Sequence, residues 1–328
     1  MRIILLGHNK WACLTLRALL EAGHDVAAVV AETDRYDQRE AHVYERFSEY
    51  GAYESLKHAA IGLGIPIRQP EDVNDSAFVA SLRAADPDLL VCVSYHAIFR
   101  SAFLETFGGQ LINAHLAPLP HYRGRAPINW AIINGEDHTA VTIHLIDEGI
   151  DTGPILVQHR VPIYDDDRAI DVLLRALPFF PAAVLEAIDQ IEDGTVKPKP
   201  QNPEEGSYFP RRTPADGVIN WSTEYAIDVH RKIRALTDPY PGAYSYWGKR
   251  KVVFLSSRWP EDGLRDTPEG GRVFARTQVG ELLVSTADGH LVIQRVRIGS
   301  EEGKASMLIP IGAQFQCGPG NSARGKRD

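Results

Sequence analysis

An amide, an imidazole and a carboxylate occur in this sequence at positions from which they could act together. Asn113 and His115 are two residues apart in the predicted strand 110–115, so both side chains point to one face of a sheet. Asp151 follows the predicted strand 139–146, on a loop with glycines on both sides. The amide can donate a hydrogen bond to an oxyanion, the imidazole can take the proton of an attacking nitrogen, and the carboxylate can fix the tautomer or charge of the imidazole. The three residues therefore suit acyl transfer to an amine.

The sequence around these residues offers no covalent nucleophile. No Ser or Cys stands beside them, so direct attack by the amine is more natural than an acyl-enzyme. Each motif alone is weak evidence, because Asn-x-His often ends a strand and a loop of Asp and Gly is often only a turn. The loop 122–125, Tyr-Arg-Gly-Arg, is interpreted either as a solvated charged loop or as a binding loop.

Other polar residues do not predict a metal site. The acidic run 165–167 has no His or Cys near it and is typical of a helix N-cap and first turn. His121, His144 and His159 lack the spacing of metal ligands. Cys92 lies in an apolar stretch and is interpreted as a small buried hydrophobic residue. We therefore expect no metal.

Short apolar strands and amphipathic helices alternate through the first 165 residues. The β-rich runs predict strands at 2–7, 25–31, 89–95, 110–115 and 139–146. Helical spacing and caps predict helices at 12–22, 55–63, 76–84, 101–107 and 127–134. This alternation predicts an α/β fold with a Rossmann-like, doubly wound and mostly parallel sheet, which binds ligands beyond the carboxyl ends of its strands.

The first turn between strand and helix excludes one common use of such a sheet. Residues 7–12, Gly-His-Asn-Lys-Trp-Ala, lack the GxGxxG pattern that lets a dinucleotide pyrophosphate approach the backbone. The sequence therefore argues against a nicotinamide-dependent dehydrogenase.

The pattern of the chain changes after residue 166. Residues 167–191 predict one amphipathic helix with Pro178 and Pro181 as candidate breaks, and the proline-rich stretch 194–203 cannot form a regular element. Beyond residue 211, one helix at 223–235 precedes short strands separated by Gly and Pro turns, which is typical of a small β-barrel. We predict a catalytic domain at 1–193, a linker at 194–210, an OB-like barrel at 211–316 and a disordered tail at 317–328.

Composition and charge narrow the class of protein. The chain has 35 Lys and Arg against 43 Asp and Glu, and its formal net charge of −8 argues against a constitutive nucleic-acid binder. Its three cysteines are far apart, so neither a disulfide framework nor a CxxC pair is predicted. No apolar run reaches the roughly 18 residues that span a bilayer, and the apolar run at the N-terminus is too short for a signal peptide. We expect a cytoplasmic protein without a membrane partner.

The candidate residues together resemble the active-site signature of the folate-dependent formyltransferases. The resemblance rests on Asn113-x-His115, the Leu-Pro-x-Tyr-Arg-Gly run that ends at Gly124, and Asp151, thirty-six positions after His115. It covers most of the chain, because two stretches of the second half resemble the C-terminal barrel of this family, namely 217–222 and 238–243. The likeness implies the fold of methionyl-tRNA formyltransferase and catalysis by these three polar residues.

The resemblance also implies where the donor binds and what each residue does. N10-formyltetrahydrofolate would supply the formyl group without a metal, and its pterin would lie near Tyr95, His96, Ala97, Ile98, Asp147, Gly149, Ile150 and Gly153. Asn113 and His115 would stabilise the tetrahedral intermediate, His115 would carry the proton, and Asp151 would tune His115. The chain departs from the family at Ala117, where Ser is common. If that hydroxyl relays a proton, a water or another group must replace it.

Three primary amines compete as the acceptor within this family: an amino sugar on a nucleotide, the amino group of methionyl-tRNA, and glycinamide ribonucleotide. The two-domain length disfavours the last, whose enzymes are usually a single shorter domain. Residues 122–127, 209–214 and 234–239 resemble a sugar N-formyltransferase, the domain that formylates UDP-4-amino-4-deoxy-L-arabinose. The implied acceptor-binding residues are Tyr122, Arg123, Gly124, Arg125 and Pro127, with both arginines as candidates for the diphosphate.

Local charge also favours a sugar nucleotide over tRNA. Residues 34–57, where the tRNA enzymes carry a basic loop, contain four basic and six acidic residues and would repel a phosphate backbone. Methionyl-tRNA formyltransferase is kept as the alternative. A silent paralogue that senses folate or a sugar nucleotide, and a hydrolase that releases formate, also stay open. The sequence leaves open whether the protein forms a homodimer.

Overall fold

The computed structural model describes residues 1–33, 45–202, 204–261 and 267–319. The chain divides into two units. The first consists of Met1–Ile128, Asp137–Tyr164 and Ile170–Arg211, and the second of Asn129–Glu136, Asp165–Ala169 and the described residues from Arg212 on. Two predictions fall partly outside the described residues: the tail 317–328 is described only to residue 319, and the acidic insert 34–57 only from residue 45.

A mostly parallel sheet organises the first unit. Its strands lie in the order β3 (Ile67–Arg68), β2 (Asp25–Ala31), β1 (Arg2–Gly7), β4 (Leu89–Val93), β5 (Leu111–His115), β7 (His138–Leu145) and β8 (Ile155–Pro162). Neighbours from β3 to β5 are parallel, whereas β7 and β8 each run antiparallel to the strand before them. The predicted α/β fold class is confirmed.

The apolar strands of this sheet need cover on both faces. In β1, Ile3 and Leu5 join one core cluster, Ile4 and Leu6 join another, and all four are fully buried. Successive side chains of a strand point to opposite faces, so a strand without polar residues is stable only between two packed layers. The apolar run at the start of the sequence therefore dictates a sheet with helices on each side.

Helices from the first 192 residues include those that supply this cover, and most lie close to the predicted positions. They are α1 (Asn9–Glu21), α2 (45–49 within the described residues), α3 (Leu56–Gly62), α4 (Ser76–Arg83), α5 (Ser101–Phe107), α6 (Pro127–Asn134), α7 (Ala169–Ala176) and α8 (Phe179–Glu192). Residues of α1, α3 and α8 join the first cluster, and residues of α4 and α5 join the second. In the part of the chain that the structure describes, no helix is both long and apolar enough to cross a membrane.

Several elements of the first unit differ from the sequence prediction, among them the short strand β3 and the helix α2, which were not predicted. The helix expected at 167–191 is two helices, because Pro178 has no backbone N–H to donate and restricts the residue before it. Pro181 lies in the first turn of α8, where its missing N–H has no intrahelical partner. Strand β8 has no counterpart in the prediction. Only Val157 and Val161 of its residues are buried, as expected for a strand at the edge of a sheet.

The stretch 194–210 extends along the first unit. Lys199 forms an isolated antiparallel bridge with Ile155, and β9 (Tyr208–Phe209) pairs in parallel with β6 (Arg123–Gly124). The described part of the proline-rich stretch otherwise has no regular structure, because proline lacks the N–H that helices and sheets need. Its role as a linker between domains stays a prediction.

An antiparallel sheet curls into a small barrel in the second unit. Its strands lie in the order β12 (Val273–Arg276), β13 (Leu282–Thr286), β14 (Gly289–Ile298), β11 (Arg250–Arg258), β10 (Ala243–Trp247) and β16 (Phe315–Gln316), with β15 (Glu301–Lys304) beside β14. The edges meet through a bridge between Arg272 and Gln314 and a 2.9 Å hydrogen bond from the Val273 N–H to the Ala313 carbonyl. Helices α9 (Ala226–Leu236) and α10 (Ala305–Leu308) pack on the sheet. The predicted β-barrel is confirmed.

Trp221 fills the interior of this barrel. Its side chain is 2% exposed, and its indole N–H donates to the Ser245 hydroxyl at 2.8 Å. The ring packs on Phe254 and Phe315, with centroids 5.2 and 5.7 Å away. A buried indole with its N–H satisfied contributes a large apolar surface without a polar penalty.

Truncation of Trp221 tests the importance of this core. We expect Trp221→Ala to lower the free energy of unfolding by about 3–5 kcal/mol, because it removes a large ring and leaves a cavity. Ser245→Ala should cost about 1–3 kcal/mol, because the indole N–H would stay buried without its acceptor. Trp259→Ala, at a residue 41% exposed, is the control and should cost less than about 0.5 kcal/mol. Chemical denaturation followed by circular dichroism gives these values, and equal losses for Trp221 and Trp259 would contradict the assignment.

Candidate active site

Strand β5 ends with two polar side chains on one face of the sheet. Asn113 and His115 alternate with apolar residues that are buried in the first core cluster. Asn113 is the pairing partner of Cys92 in β4 on one side and of His144 in β7 on the other. The strand therefore delivers both side chains to the carboxyl end of the parallel sheet, where open α/β sheets bind ligands.

Asp151 lies on a closed loop between β7 and β8. The Asp147 carboxylate accepts hydrogen bonds from the Gly149 N–H at 3.1 Å and from the Thr152 hydroxyl at 2.6 Å. Asp151 itself has a φ of 54°, in the left-handed region that residues other than glycine rarely adopt. The internal hydrogen bonds of the loop hold Asp151 in this unfavourable backbone conformation.

The Asp151 carboxylate is the acceptor that the other groups of the site share. Its Oδ1 lies 3.7 Å from His115 Nδ1 and 3.6 Å from His144 Nε2, and its Oδ2 accepts the Gly124 backbone N–H at 2.9 Å. Burial by itself would raise the pKa of this carboxyl. The neighbouring imidazoles of His115 and His144 and the hydrogen bond from the Gly124 N–H outweigh burial and hold the pKa well below its usual range. Asp151 is therefore an anion at neutral pH.

His115 stands between two acceptors. Its Nε2 lies 3.2 Å from the carbonyl oxygen of Tyr122, and its Nδ1 faces Asp151. A carbonyl and a carboxylate both accept hydrogen bonds, so the ring satisfies both neighbours only when each nitrogen carries a proton. The two acceptors therefore fix the orientation of the ring in the site.

His144 is a functional candidate that the sequence analysis dismissed. The side chain is 2% exposed, and Nδ1 donates to the Leu145 carbonyl at 2.7 Å, which leaves Nε2 as an acceptor in the neutral ring. Asn113 Nδ2 lies 3.0 Å from that nitrogen, so His144 orients the amide and leaves its second N–H for a ligand. The signal for His144 is its pairing with Asn113 across β5 and β7, and the register of a partner strand is not visible in local sequence.

The loop around Tyr122 brings backbone groups into the site. Tyr122 has a φ of 59°, and its buried ring stacks on Phe209 with centroids 5.0 Å apart while its carbonyl faces His115. Gly124 has a φ of 96°, and a Cβ there would overlap the Phe209 carbonyl oxygen. Only glycine permits both this conformation and the close approach that lets the Gly124 N–H reach Asp151.

The other predicted acceptor-binding residues lie at different depths. Arg123 is half-buried with its guanidinium against Gly206, and its Nε is shielded from solvent without a hydrogen-bond partner among the described residues. Arg125 is exposed, and Pro127 begins α6. Within the described residues neither arginine forms an ion pair, so both guanidinium groups keep donors for an anion.

The two loops predicted to hold a pterin begin at one core cluster. Tyr95 and Ile146, at the start of the loops after β4 and β7, both pack against the second cluster. Further along these loops, Ile98 is 69% and Ile150 is 46% exposed, although large apolar side chains are normally buried. His96, Ala97, Asp147, Gly149 and Gly153 complete the loops. Exposed apolar side chains on both loops suit a flat aromatic ligand.

Three smaller expectations concern metal ligands, Cys92 and Ala117. Among the described residues, no group of three or more His, Cys, Asp or Glu side chains could hold a metal ion. Burial raises the pKa of the Cys92 thiol to about 12, so this cysteine is an unreactive apolar residue, as predicted. Ala117 is fully buried, and its carbonyl accepts the Thr142 hydroxyl at 2.6 Å.

Gln201 and Ser207 contribute to the site from within the stretch that was predicted to be a linker. Gln201 Nε2 donates to the main-chain oxygens of Asp151 at 2.9 Å and of Gly153 at 2.7 Å. The Ser207 hydroxyl accepts the Tyr122 N–H at 2.9 Å. No local pattern predicts such bonds, because they depend on where the chain returns after α8.

An oriented amide, a carboxylate-paired imidazole and a left-handed backbone at the carboxyl ends of a parallel sheet are the features of a group-transfer enzyme that acts at a carbonyl carbon. Comparison with sequence families makes this class specific. The formyl transferase family matches residues 1–188, and the C-terminal domain of formyl transferases matches residues 211–309. The chain belongs to the formyl transferase family and is a formyltransferase, which confirms the resemblance seen in its sequence.

Solved structures of this fold are similar over nearly the whole chain. The sugar 3N-formyltransferase WlaRD, solved in the presence of dTDP and 5-N-formyl-THF, has a TM-score of 0.65 and 22% identity, and covers 92% of this chain and 98% of its own. An N-formyltransferase from Helicobacter canadensis, in complex with folinic acid and dTDP-3-aminofucose, has a TM-score of 0.65 and 23% identity over 90% and 99%. HypX from Aquifex aeolicus, in complex with tetrahydrofolic acid, has a TM-score of 0.59 and 21% identity over 94% of this chain and 47% of that chain. At these identities the likeness shows the shared fold.

Gly153 offers a test of the loop that carries Asp151. A Cβ at this position would overlap the Leu145 carbonyl oxygen, so Gly153→Ala must shift the backbone two residues after Asp151. We expect turnover to fall at least about tenfold, because small displacements of catalytic groups are costly, and the free energy of unfolding to fall by about 1–3 kcal/mol. Gly62→Ala is the matched control: it lies in α3, and nothing would contact its Cβ within 4 Å. If Gly153→Ala matched wild type in turnover and melting temperature, the close contact between residue 153 and the Leu145 carbonyl would not matter for function or stability.

Proposed function

We propose that this formyltransferase transfers the formyl group of N10-formyltetrahydrofolate to the primary amine of a nucleotide-linked amino sugar. The products would be the N-formyl amino sugar and tetrahydrofolate. One observation carries the proposal. At the carboxyl end of the sheet His115 and His144 lie beside the Asp151 carboxylate, and the Asn113 amide contacts His144, so an N–H donor, a proton carrier and a fixed negative charge belong to one connected group.

Direct attack of the amine on the formyl carbon fits these groups. The amine nitrogen bonds to the formyl carbon, and the formyl oxygen becomes an oxyanion that the free N–H of Asn113 stabilises. His115 takes the proton that the attacking nitrogen loses and returns a proton to N10 as the bond between N10 and the formyl carbon breaks. Asp151 stabilises the charge on His115 between the two transfers. No covalent bond to the enzyme is needed.

Two observations support a folate as the donor. Ile98 and Ile150 present exposed apolar side chains on the loops after β4 and β7, which suit the faces of a pterin. WlaRD was solved with 5-N-formyl-THF and the Helicobacter canadensis protein with folinic acid, and both share the fold of this chain. The proposed donor site consists of Tyr95, His96, Ala97, Ile98, Asp147, Gly149, Ile150 and Gly153.

Charge supports a sugar nucleotide as the acceptor. Arg123 and Arg125 lie in the loop after the catalytic strand and form no ion pair among the described residues, so their guanidinium groups can bind a diphosphate. The net charge of −8 does not favour the many phosphate contacts that a tRNA needs. Structures of similar fold contain dTDP or dTDP-3-aminofucose. Tyr122, Gly124 and Pro127 complete the proposed acceptor site.

Substitution of the three catalytic residues tests the mechanism. Asn113→Ala, His115→Ala and Asp151→Ala should each lower turnover at least about a hundredfold, because each removes an oxyanion donor, a proton carrier or the charge that supports it. His121→Ala, at an exposed histidine of the following loop, is the matched control and should keep full activity. Single-turnover rates measured with saturating folate separate this effect from binding. A variant of the three that retained near wild-type turnover would lose its assigned role.

An assay with two acceptors at two salt concentrations tests the substrate class. We expect formylation of at least one nucleotide-linked amino sugar, detected by mass spectrometry as the gain of one formyl group, and none of methionyl-tRNA. Arg125→Ala should raise the KM for the amino sugar with little change in kcat or in the KM for folate, because it removes uniform binding. Arg160→Ala, with a side chain 64% exposed, is the matched control.

The opposite result would identify the alternative enzyme. Efficient formylation of methionyl-tRNA that falls steeply with added salt, with no reaction of any amino sugar, would replace the sugar assignment with a methionyl-tRNA formyltransferase. Release of formate without an acceptor would indicate a hydrolase. Folate binding without any turnover would indicate a sensor.

A further inference from the structure

The carboxyl edge of the parallel sheet carries a second group of polar residues, apart from the catalytic ones. These residues follow the ends of β1, β2 and β4, and we call them the Glu32 cluster: His8, Asn9, Glu32, Ser94 and His96. Apart from His96, none has a role in the chemistry described above. The cluster stands where open α/β sheets bind their ligands.

Strand register places the Glu32 cluster in line with His115. One row of partners across β2, β1, β4 and β5 consists of Ala31, Gly7, Val93 and Ala114. The next residues on the same strands, in the same order, are Glu32, His8, Ser94 and His115. Adjacent strands are about 4.8 Å apart, so Glu32 lies roughly 14 Å from His115 along the edge. A substrate that reacts at His115 and extends along this edge therefore reaches Glu32.

Glu32 presents a carboxylate oxygen toward this edge. Its Oε1 accepts the His96 N–H at 3.0 Å and lies 3.3 Å from His96 Nδ1, whereas no described residue donates to Oε2. The side chain is 13% exposed. Burial acts to raise the pKa of Glu32, but the hydrogen bonds from His96 outweigh it and lower that pKa. Glu32 is therefore a charged acceptor with one oxygen available to a ligand.

His8 and Asn9 add neutral polar groups to the cluster. His8 is 5% exposed with its ring 6.0 Å from that of His96, and burial together with this neighbour lowers the pKa of His8 to about 4. Asn9 has a φ of 62° and donates through Nδ2 to the Ser94 hydroxyl at 3.1 Å. Its Oδ1 is shielded from solvent and has no partner among the described residues. The cluster thus offers hydrogen-bond acceptors, and among the described residues no Lys or Arg forms an ion pair with Glu32.

This chemistry selects hydroxyl groups over phosphate. A phosphate would face the negative charge of Glu32, and Lys10, the nearest cation in sequence, already donates to the Gly51 carbonyl. A hydroxyl donates to a carboxylate at a small desolvation cost, and a hydrogen bond to a charged group is stronger than a neutral one. In nucleotide-binding α/β sheets, an acidic residue near the end of the second strand accepts a hydrogen bond from a ribose hydroxyl. Glu32 directly follows the second strand of this sheet.

We propose that the Glu32 cluster is a hydroxyl-binding subsite for the acceptor, in which Glu32 accepts hydrogen bonds from hydroxyls of the ribose or of the amino sugar. This inference rests on the proposed function, because it assumes an acceptor that is a nucleotide-linked sugar. If the hydroxyl belongs to the ribose, Glu32 makes the enzyme distinguish ribonucleotide carriers from deoxyribonucleotide carriers.

Glu32→Gln tests the subsite in the full-length enzyme, because glutamine keeps the size of the side chain and an acceptor for the His96 N–H but loses the charge. The probes are UDP, ADP, GDP and CDP, the 2′-deoxy form of each, dTDP, and a hexose conjugate of the nucleotide that binds most tightly. Calorimetry measures their affinities and that of a non-reactive folate analogue. We expect roughly a tenfold loss of affinity for probes that carry the recognised hydroxyl and no change for the others. Glu105→Gln, exposed on α5, is the matched control and should change nothing.

The pattern of losses identifies the source of the hydroxyl. Loss for a ribonucleotide but not for its 2′-deoxy form indicates the ribose, and loss confined to the hexose conjugate indicates the sugar. Unchanged affinity for every probe would overturn the subsite. So would an equal loss for ribose and deoxyribose forms and for folate, since that result means Glu32 only supports the loop around His96. If the wild-type enzyme bound no nucleotide at all, both the sugar-nucleotide acceptor and this subsite would be refuted. If Glu32→Gln formylated the amino sugar as well as wild type does, only the subsite would be refuted.

Discussion

A single buried carboxylate determines how the rest of the site is built. Asp151 is ionised with a side chain 14% exposed, and a buried charge without donors costs several kcal/mol. The chain therefore has to bring stabilising polar groups to it from distant segments, and it does so with the imidazoles of His115 and His144 and the backbone N–H of Gly124. Each imidazole also has a second contact inside the site, His115 with the Tyr122 carbonyl and His144 with the Asn113 amide. The electrostatic requirement of one side chain thus orders the groups that would act on a substrate.

Several residues around this site also have strained backbone conformations. Among the described residues, those other than glycine with positive φ include Asn9, Ser94, Tyr122 and Asp151, and all four follow strands of the first unit. Left-handed conformations cost free energy that packing elsewhere has to offset, and they are found where backbone groups must point at a ligand. Tyr122 lies in the loop whose carbonyl contacts His115, and Asp151 lies in the loop after β7. Asn9 and Ser94 belong to the Glu32 cluster. These four strained positions lie in loops that follow the carboxyl ends of strands of the sheet.

Strands, helices and candidate residues that depend on local sequence pattern were predicted from the sequence. Contacts between residues far apart in the chain were not. The apolar runs of β1 and β2 and the helix 101–107 were predicted to the residue, because period and caps are local properties. Asn113, His115 and Asp151 were found as candidates because strand ends and glycine loops are visible in sequence. His144 and Gln201 were missed because their importance comes from partners 31 and 50 residues away. The helix at 167–191 was predicted as one element with Pro178 and Pro181 as candidate breaks, and the structure has the break at Pro178, which has no backbone N–H to donate.

The pairing of β6 with β9 also determines when the protein can become active during its synthesis. The N–H of Tyr122 finds its acceptor in Ser207, 85 residues later, and Gly124 pairs with Phe209. A ribosome adds roughly 5–20 residues per second. His115 and Asp151 are therefore synthesised several seconds before β9, the strand that supports the loop 122–124 between them. A nascent chain that already contains Asn113, His115 and Asp151 therefore still lacks the contacts that hold the loop 122–124. This loop can take its observed hydrogen bonds only after residue 209 has been added and β9 has paired.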